Sequence, residues 1–289
     1  METSELLKKV RRIEIKTRGL SRNIFAGQYH SAFKGRGMAF SEVREYQYGD
    51  DIRDIDWNVT ARYNRPYVKV FEEERELTVM LMIDVSGSRN FGTVNVMKRD
   101  IITEIAATLA FSAIQNNDKI GVIFFSDRIE KFIPPQKGKK HILYIIRELI
   151  DFQPKDTKTD ITQVLKYMTN AIKKRSTAFI ISDFIDKGNF KDALTIANKK
   201  HDIVAIQVYD RMETELPSVG LMKIKDAETK GECWIDTSSA KTRDTYSQWW
   251  NKRQQEMNDS FKKCRVDSVS IRTEDDYVKS LLALFQKRN

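Results

Sequence analysis

From about position 77 onward, short apolar runs bounded by polar residues alternate with segments whose apolar positions repeat at helical spacing. LTVMLMID (77–84) is continuous enough to be a central strand buried on both faces. KIGVIFFS (119–126), AFIISD (178–183) and DIVAIQVYD (202–210) follow the same pattern, and VDSVSIRT (266–273) is a shorter candidate. RIEKFIP (128–134) follows its neighbour so closely that it is expected as an antiparallel edge strand. The helix after the first strand carries Val94, Met97, Ile101, Ile105 and Leu109, and 141–151 and 161–175 predict two more. A turn-rich stretch, 211–237, can hold a hairpin with GLMKIKD and GECWIDT as arms. A long polar helix with Trp249 and Trp250 and a closing helix at about 275–286 complete the pattern.

This alternation predicts a Rossmann-like α/β domain, with a mostly parallel central sheet and helices on both faces. The chain divides into a polar, irregular N-terminal region (1–76), a core (77–210) and a C-terminal extension that completes the domain (211–289). A chain of 289 residues buries such a core without covalent staples. Cys233 and Cys264, with no CxxC pair, read as ordinary thiols of a reducing compartment, so a cytoplasmic protein is expected. The first residues lack the apolar segment of an export signal, and no run approaches the length of a membrane span. The formal charge of +9 is diluted by interspersed acids and comes with no nucleic-acid-binding motif, so no nucleic-acid partner is expected. Leu6, Val10 and Ile13 share one face of an N-terminal stretch ringed by Lys8, Lys9, Arg12 and Lys16. Such a stretch packs on its own domain or, alternatively, makes a peripheral contact with an anionic membrane.

In open parallel sheets, ligands bind beyond the carboxyl ends of the strands. Three such places carry oxygen ligands: Asp84-Val85-Ser86-Gly87-Ser88, DTKTDI (156–161) and Asp183. The DxSxS spacing projects one carboxylate and two hydroxyls toward a single point, with Gly87 easing the turn. Thr159 adds a hydroxyl and Asp183 a second carboxylate, a hard oxygen set suited to Mg²⁺ or Mn²⁺. Ser and Asp after a strand are also common helix N-caps, and Thr159 before Asp160 would serve equally as one. The metal reading gains because all three segments fall on one edge of the sheet.

DVSGS followed by TDI and ISD resembles the metal-ion-dependent adhesion site of von Willebrand factor A domains. Upstream, KGRGMAFSEVREYQYGDDIRDIDWNVTARYNRPYVKVFEEERE resembles the signature of the bacterial family called domain of unknown function 58. The resemblance implies a von Willebrand factor A fold with Asp84, Ser86, Ser88, Thr159 and Asp183 as metal ligands. It also implies a partner: similar domains are encoded beside MoxR-type AAA+ ATPases, including aerotolerance-operon proteins, which suits an adaptor binding the ATPase or its client through an acidic side chain. Two positions depart from the pattern. Arg89 stands where many such domains carry Met, and Lys158 where Gly is frequent. Their charge either weakens metal affinity or forms a positive rim that captures an acidic partner.

The acids and arginines at Asp50, Asp51, Arg53, Asp54, Asp56 and Arg62 read as an ion-pair network tethering an irregular segment, beside Trp57 and Tyr63 as potential partner contacts. His30, His141 and His201 have no partner in sequence that suggests a triad. The main enzyme alternative is a Mg²⁺-dependent phosphotransferase of the haloacid dehalogenase type with Asp84 as nucleophile. Its general acid should lie two residues on, where this chain has Ser86. GxSxG and the P-loop are absent. A non-enzymatic, metal-dependent interaction module is therefore expected.

Overall fold

The structure, a computed structural model, describes residues 11, 13, 38–73, 77–93, 96–186, 188–226 and 231–288. From position 38 onward the described residues fall into two compact units, one within Phe33–Glu76 and the other within Leu77–Asn289. The expected amphipathic N-terminal stretch lies outside the described residues, apart from Arg11 and Ile13.

In the smaller unit, β1 (Met38–Glu45) and β2 (Tyr67–Glu73) pair antiparallel, with a register shift between Phe40 and Glu42. Between them lies α1 (Trp57–Tyr63), capped by Asp56, whose carboxylate accepts from the N–H groups of Asn58 and Val59 at 3.0 and 3.2 Å. This corrects the expectation of an irregular region. Its polar composition reflects turn chemistry rather than absence of structure. Arg44 donates to both oxygens of Asp50 at 2.8 and 2.7 Å, and Asp50 also accepts from Gln47 N–H. Arg53 pairs with Asp51 two residues away. These acids and arginines thus fold the unit's own turns.

In the larger unit a six-stranded sheet is built from β3 (Thr78–Asp84), β4 (Lys119–Phe125), β5 (Ile129–Gln136), β6 (Thr177–Ser182), β7 (Asp202–Tyr209) and β10 (Asp267–Arg272). Its spatial order is β10-β7-β6-β3-β4-β5, with every pair parallel except β4–β5. RIEKFIP is accordingly the antiparallel edge, and LTVMLMID lies inside the sheet. Counted by their order in the chain, the strands run third, second, first, fourth, fifth, sixth, the doubly wound arrangement. The order reverses between β3 and β6, which opens a crevice at their carboxyl ends.

Met80 and Met82 of β3, with Ile123, Phe125, Ala178 and Ile180, pack against α4 (Ile161–Ala171), α5 (Lys191–Lys200) and α6 (Ala240–Lys263) through Leu165, Met168, Leu194, Met257 and Phe261. Val79, Leu81 and Ile83 alternate with them and point to the other face. On that side α2 (Lys98–Gln115) and α3 (Lys139–Asp151) pack on each other. The chain ends in α7 (Tyr277–Arg288), which docks beside β10. β8 (Leu221–Lys225) and β9 (Glu232–Asp236) form the expected hairpin.

The helices differ from expectation in several places. α2 begins at Lys98, with exposed Met97 as its N-cap and Asp100 accepting from Met97 N–H at 3.4 Å, while Val94 lies outside the described residues. α4 ends at Ala171, since Ile172 takes extended backbone. α5 was not anticipated, because only Ala193, Leu194 and Ala197 form a narrow buried stripe in an otherwise polar segment.

His201, just after α5, is fully buried, and its Nδ1 shares a hydrogen bond with Ser176 Oγ at 3.1 Å. Burial, with repulsion from Lys200 and Arg175, lowers its pKa from 6.5 to about 4. The unfolded chain therefore binds a proton that the folded chain refuses between those values. The stability His201 confers is present above pH 6.5 and lost as pH falls toward 4. Acidification from pH 7 to 4.5 should cost roughly 2 kcal/mol through this one residue. Urea midpoints of wild type and His201→Gln at the two pH values test this, with the variant losing less on acidification.

Candidate metal centre

Asp84 closes β3 and is almost completely buried, so its carboxylate must find donors inside the protein. Oδ1 accepts from Ser86 N–H at 2.9 Å, which turns the chain sharply after the strand. Oδ2 accepts from Ser182 Oγ at 2.6 Å and Thr159 Oγ1 at 3.4 Å. Ser86 Oγ and Ser88 Oγ share a hydrogen bond at 3.2 Å, and the Ser88 hydroxyl in turn bonds Asp183. Asp84, Ser86, Ser88, Thr159 and Asp183, which come from three loops, therefore form one connected cluster at the reversal point of the sheet.

Backbone bonds lace these loops together. Gly87 N–H donates to Thr157 C=O at 3.0 Å, and Asp160 N–H donates to Ser126 C=O at the end of β4, also at 3.0 Å. Thr159 is thus fixed from both sides. It is not the cap of α4: that role falls to Asp160, which accepts from Gln163 N–H at 2.9 Å. Nor does Ser86 make a capping side-chain bond. After Asp183, Phe184 adopts φ 57°, a left-handed conformation that is strained for a bulky side chain. It is held there by Ser182 Oγ, which accepts from Phe184 N–H at 3.0 Å, and by ring contacts with Phe190 and Phe261.

Sequence reasoning missed the residue that dominates the electrostatics. Lys98 is 1% exposed, yet its ammonium donates to Asp183 Oδ2 at 2.8 Å and Glu213 Oε1 at 2.6 Å. A signal did exist: Lys98 lies three and seven residues before Ile101 and Ile105, on the buried stripe of α2. Burial pushes the Asp84 carboxyl up to about 6, and the charge of Asp183 adds to the effect. Burial acts on Asp183 in the same sense, but Lys98 and hydrogen bonds from Lys98, Ser88 and Ile185 N–H outweigh it and hold the group below its ordinary range. Burial raises Glu213 despite its contact with Lys98.

Arg89 does not stand on a positive rim, because its side chain is buried and donates through Nη2 to Phe152 C=O. Burial and repulsion from Arg99 lower its pKa to about 10, against the attraction of Asp84. Lys158 is exposed and remains available to solvent.

Among the described residues no group of three or more His, Cys, Asp or Glu is arranged to hold a metal. Any ion here would depend on hydroxyls as much as carboxylates. Two carboxylates and three hydroxyls are the hard oxygen donors that Mg²⁺ and Mn²⁺ prefer, whereas zinc and copper favour nitrogen and sulfur. The raised pKa of Asp84, caused by burial and by Asp183, marks a carboxylate pair that a cation would relieve. The residues present therefore fit such an ion.

Residues 42–256 match the family described as protein of unknown function DUF58. The chain belongs to this family. A similar protein is the uncharacterized protein Rv1480 of Mycobacterium tuberculosis, 27% identical over 292 residues that cover 100% of this chain and 91% of the relative. The uncharacterized protein YeaD of Bacillus subtilis is 25% identical over 42% of this chain and 27% of its own. Solved structures similar to this DUF58 chain include an aerotolerance-related membrane protein from Bacteroides fragilis, at 14% identity and a TM-score of 0.49, covering 74% of this chain and 98% of that one. The conserved hypothetical protein BatB of Bacteroides thetaiotaomicron is similar at 13% identity and a TM-score of 0.48, over 73% of this chain and 98% of its own. The larger unit of this DUF58 protein has a doubly wound α/β fold, visible directly in its strand order.

Ser182 is a further site residue that sequence reasoning overlooked, because it lies inside a strand rather than after one. Ser182→Ala removes a donor to buried Asp84 and the acceptor for Phe184 N–H. The expected cost is about 1–3 kcal/mol in chemical denaturation. An unchanged denaturation midpoint would show that the hydroxyl is not needed there.

Proposed function

We propose that this DUF58 protein is a non-enzymatic, Mg²⁺-dependent protein-interaction module of the cytoplasm. Its partner would be a MoxR-type AAA+ ATPase or a client of one, engaged in assembly, maturation or stress tolerance. The observation that carries the reading is the convergence of Asp84, Ser86, Ser88, Thr159 and Asp183 at the carboxyl edge of the sheet. A divalent ion bound there would supply an electrophilic coordination position for a partner's carboxylate. Asp84 and the hydroxyls of Ser86, Ser88 and Thr159 would hold the ion, with Asp183 behind them kept ionised by Lys98. Exposed Lys158, beside Thr159, adds a positive charge that steers an acidic side chain inward.

Against phosphoryl transfer, the position two residues after Asp84 is Ser86, a buried hydroxyl that cannot act as general acid near neutral pH. Free thiols at Cys233 and Cys264 suit a reducing compartment. Among the described residues no helix is long and apolar enough to cross a membrane.

Proteins that co-purify in Mg²⁺ should be lost in EDTA and with Asp84→Ala, while circular dichroism shows the variant folded. Mg²⁺ should raise stability by mass action only, about 2.7 kcal/mol at a hundredfold excess over its dissociation constant. Equal capture of the ATPase in EDTA and by Asp84→Ala would move the partner surface elsewhere. Steady hydrolysis of a phosphomonoester, lost in Asp84→Asn, would favour the phosphotransferase instead.

A further inference from the structure

Lys98 is an unusual neighbour for a divalent-ion site. Its ammonium already occupies Asp183 Oδ2 and shares itself with Glu213 Oε1, at 2.8 and 2.6 Å, with Lys98 and Asp183 buried and Glu213 only partly exposed. Arg89 is a second buried cation within the field of Asp84. When all are ionised, the carboxylates of Asp84, Asp183 and Glu213 face the two cations and leave one net negative charge. Adding a divalent ion turns that into one net positive charge in a buried setting. Adding the ion together with a carboxylate from outside brings the cluster to neutrality. The same donor set without Lys98 would welcome the ion alone.

We propose that Lys98 is an internal counter-ion that keeps divalent-ion affinity low until a partner's carboxylate arrives, so that ion and partner are captured together. The inference rests on the metal-dependent docking reading. It adds that the two ligands are coupled, and by linkage the coupling is reciprocal: whatever the carboxylate does for the ion, the ion does equally for the carboxylate. Glu213 sets the strength of the device. It draws part of the ammonium's charge away from Asp183, at the turn that follows β7.

The test is Mn²⁺ titration of the full chain, read by the electron paramagnetic resonance signal of the free ion, for wild type, Lys98→Met and Glu213→Gln. Thermal melts establish that each variant is folded. Lys98→Met should bind Mn²⁺ roughly tenfold or more tightly than wild type, because a full charge in contact with the Asp183 carboxylate is removed from a poorly screened interior. Glu213→Gln should bind more weakly, since the ammonium then falls wholly to Asp183; this arm serves even if Lys98→Met does not fold. Acetate, as the smallest carboxylate probe, should tighten Mn²⁺ binding to wild type by a larger factor than to Lys98→Met. Binding by wild type that is unchanged or weaker in Lys98→Met, or undiminished in Glu213→Gln, would overturn the counter-ion role and leave metal-dependent docking standing. Absence of Mn²⁺ binding in every variant would overturn both.

Discussion

The carboxylate of Asp84 is held out of water at the end of the central strand, and much of the surrounding structure follows from that constraint. A buried carboxylate costs several kcal/mol unless donors and countercharges compensate it. Two loops bend toward Asp84 and the last residue of β6 joins them to supply those donors, through Ser86 N–H, Thr159 Oγ1 and Ser182 Oγ. The lacing bonds from Gly87 and Asp160 then become necessary, since donors on wandering loops would leave the oxygen unsatisfied for part of the time. Even the strained Phe184 belongs to this logic. Its N–H uses the acceptor side of the same Ser182 hydroxyl that donates to Asp84, which orients that proton toward the carboxylate.

A second buried carboxylate so near the first would repel it, and the fold answers with Lys98. The choice is costly at the level of the helix: Lys98 is the first residue of α2, where the helix dipole disfavours a positive charge. Asp183 and Glu213 outweigh that penalty because they bond the ammonium directly in a medium that screens charge poorly. The result ties α2, the end of β6 and the turn after β7 to a single atom. The chain elements around the site are thus joined by charge as well as by the apolar core.

The parts of this arrangement that were legible in the sequence are those written in local patterns. Continuous apolar runs revealed β3, β4, β6 and β7, because strands buried on both faces leave few polar positions. The spacing of Asp84, Ser86 and Ser88, and the placement of Thr159 and Asp183 beyond strand ends, pointed to one edge of the sheet. What stayed hidden depends on distance in the chain. Lys98 finds Asp183 across 85 residues and Glu213 across 115. Arg89 looked like a surface charge until Phe152 C=O provided a buried partner. The Phe33–Glu76 unit read as irregular because its strand pair, broken by a register shift and joined through polar turns, shows little periodicity.

Asp84 and Lys98 also explain why apolar packing and chemistry can coexist on one strand. Every residue of β3 from Val79 to Ile83 is buried and apolar, so the strand's stability is secured before the chain reaches Asp84. The carboxyl edge can then carry an energetically unfavourable cluster, because the sheet beneath does not depend on it. Sites placed where a doubly wound sheet reverses have this advantage in general: the neighbouring crossovers diverge there, opening a crevice whose lining loops are free of the packing rules that govern the strands. In this protein the freedom is used to hold two carboxylates and an ammonium together, buried from solvent. An arrangement of that kind is poised to respond to added charge, because each further charge there is felt with little screening.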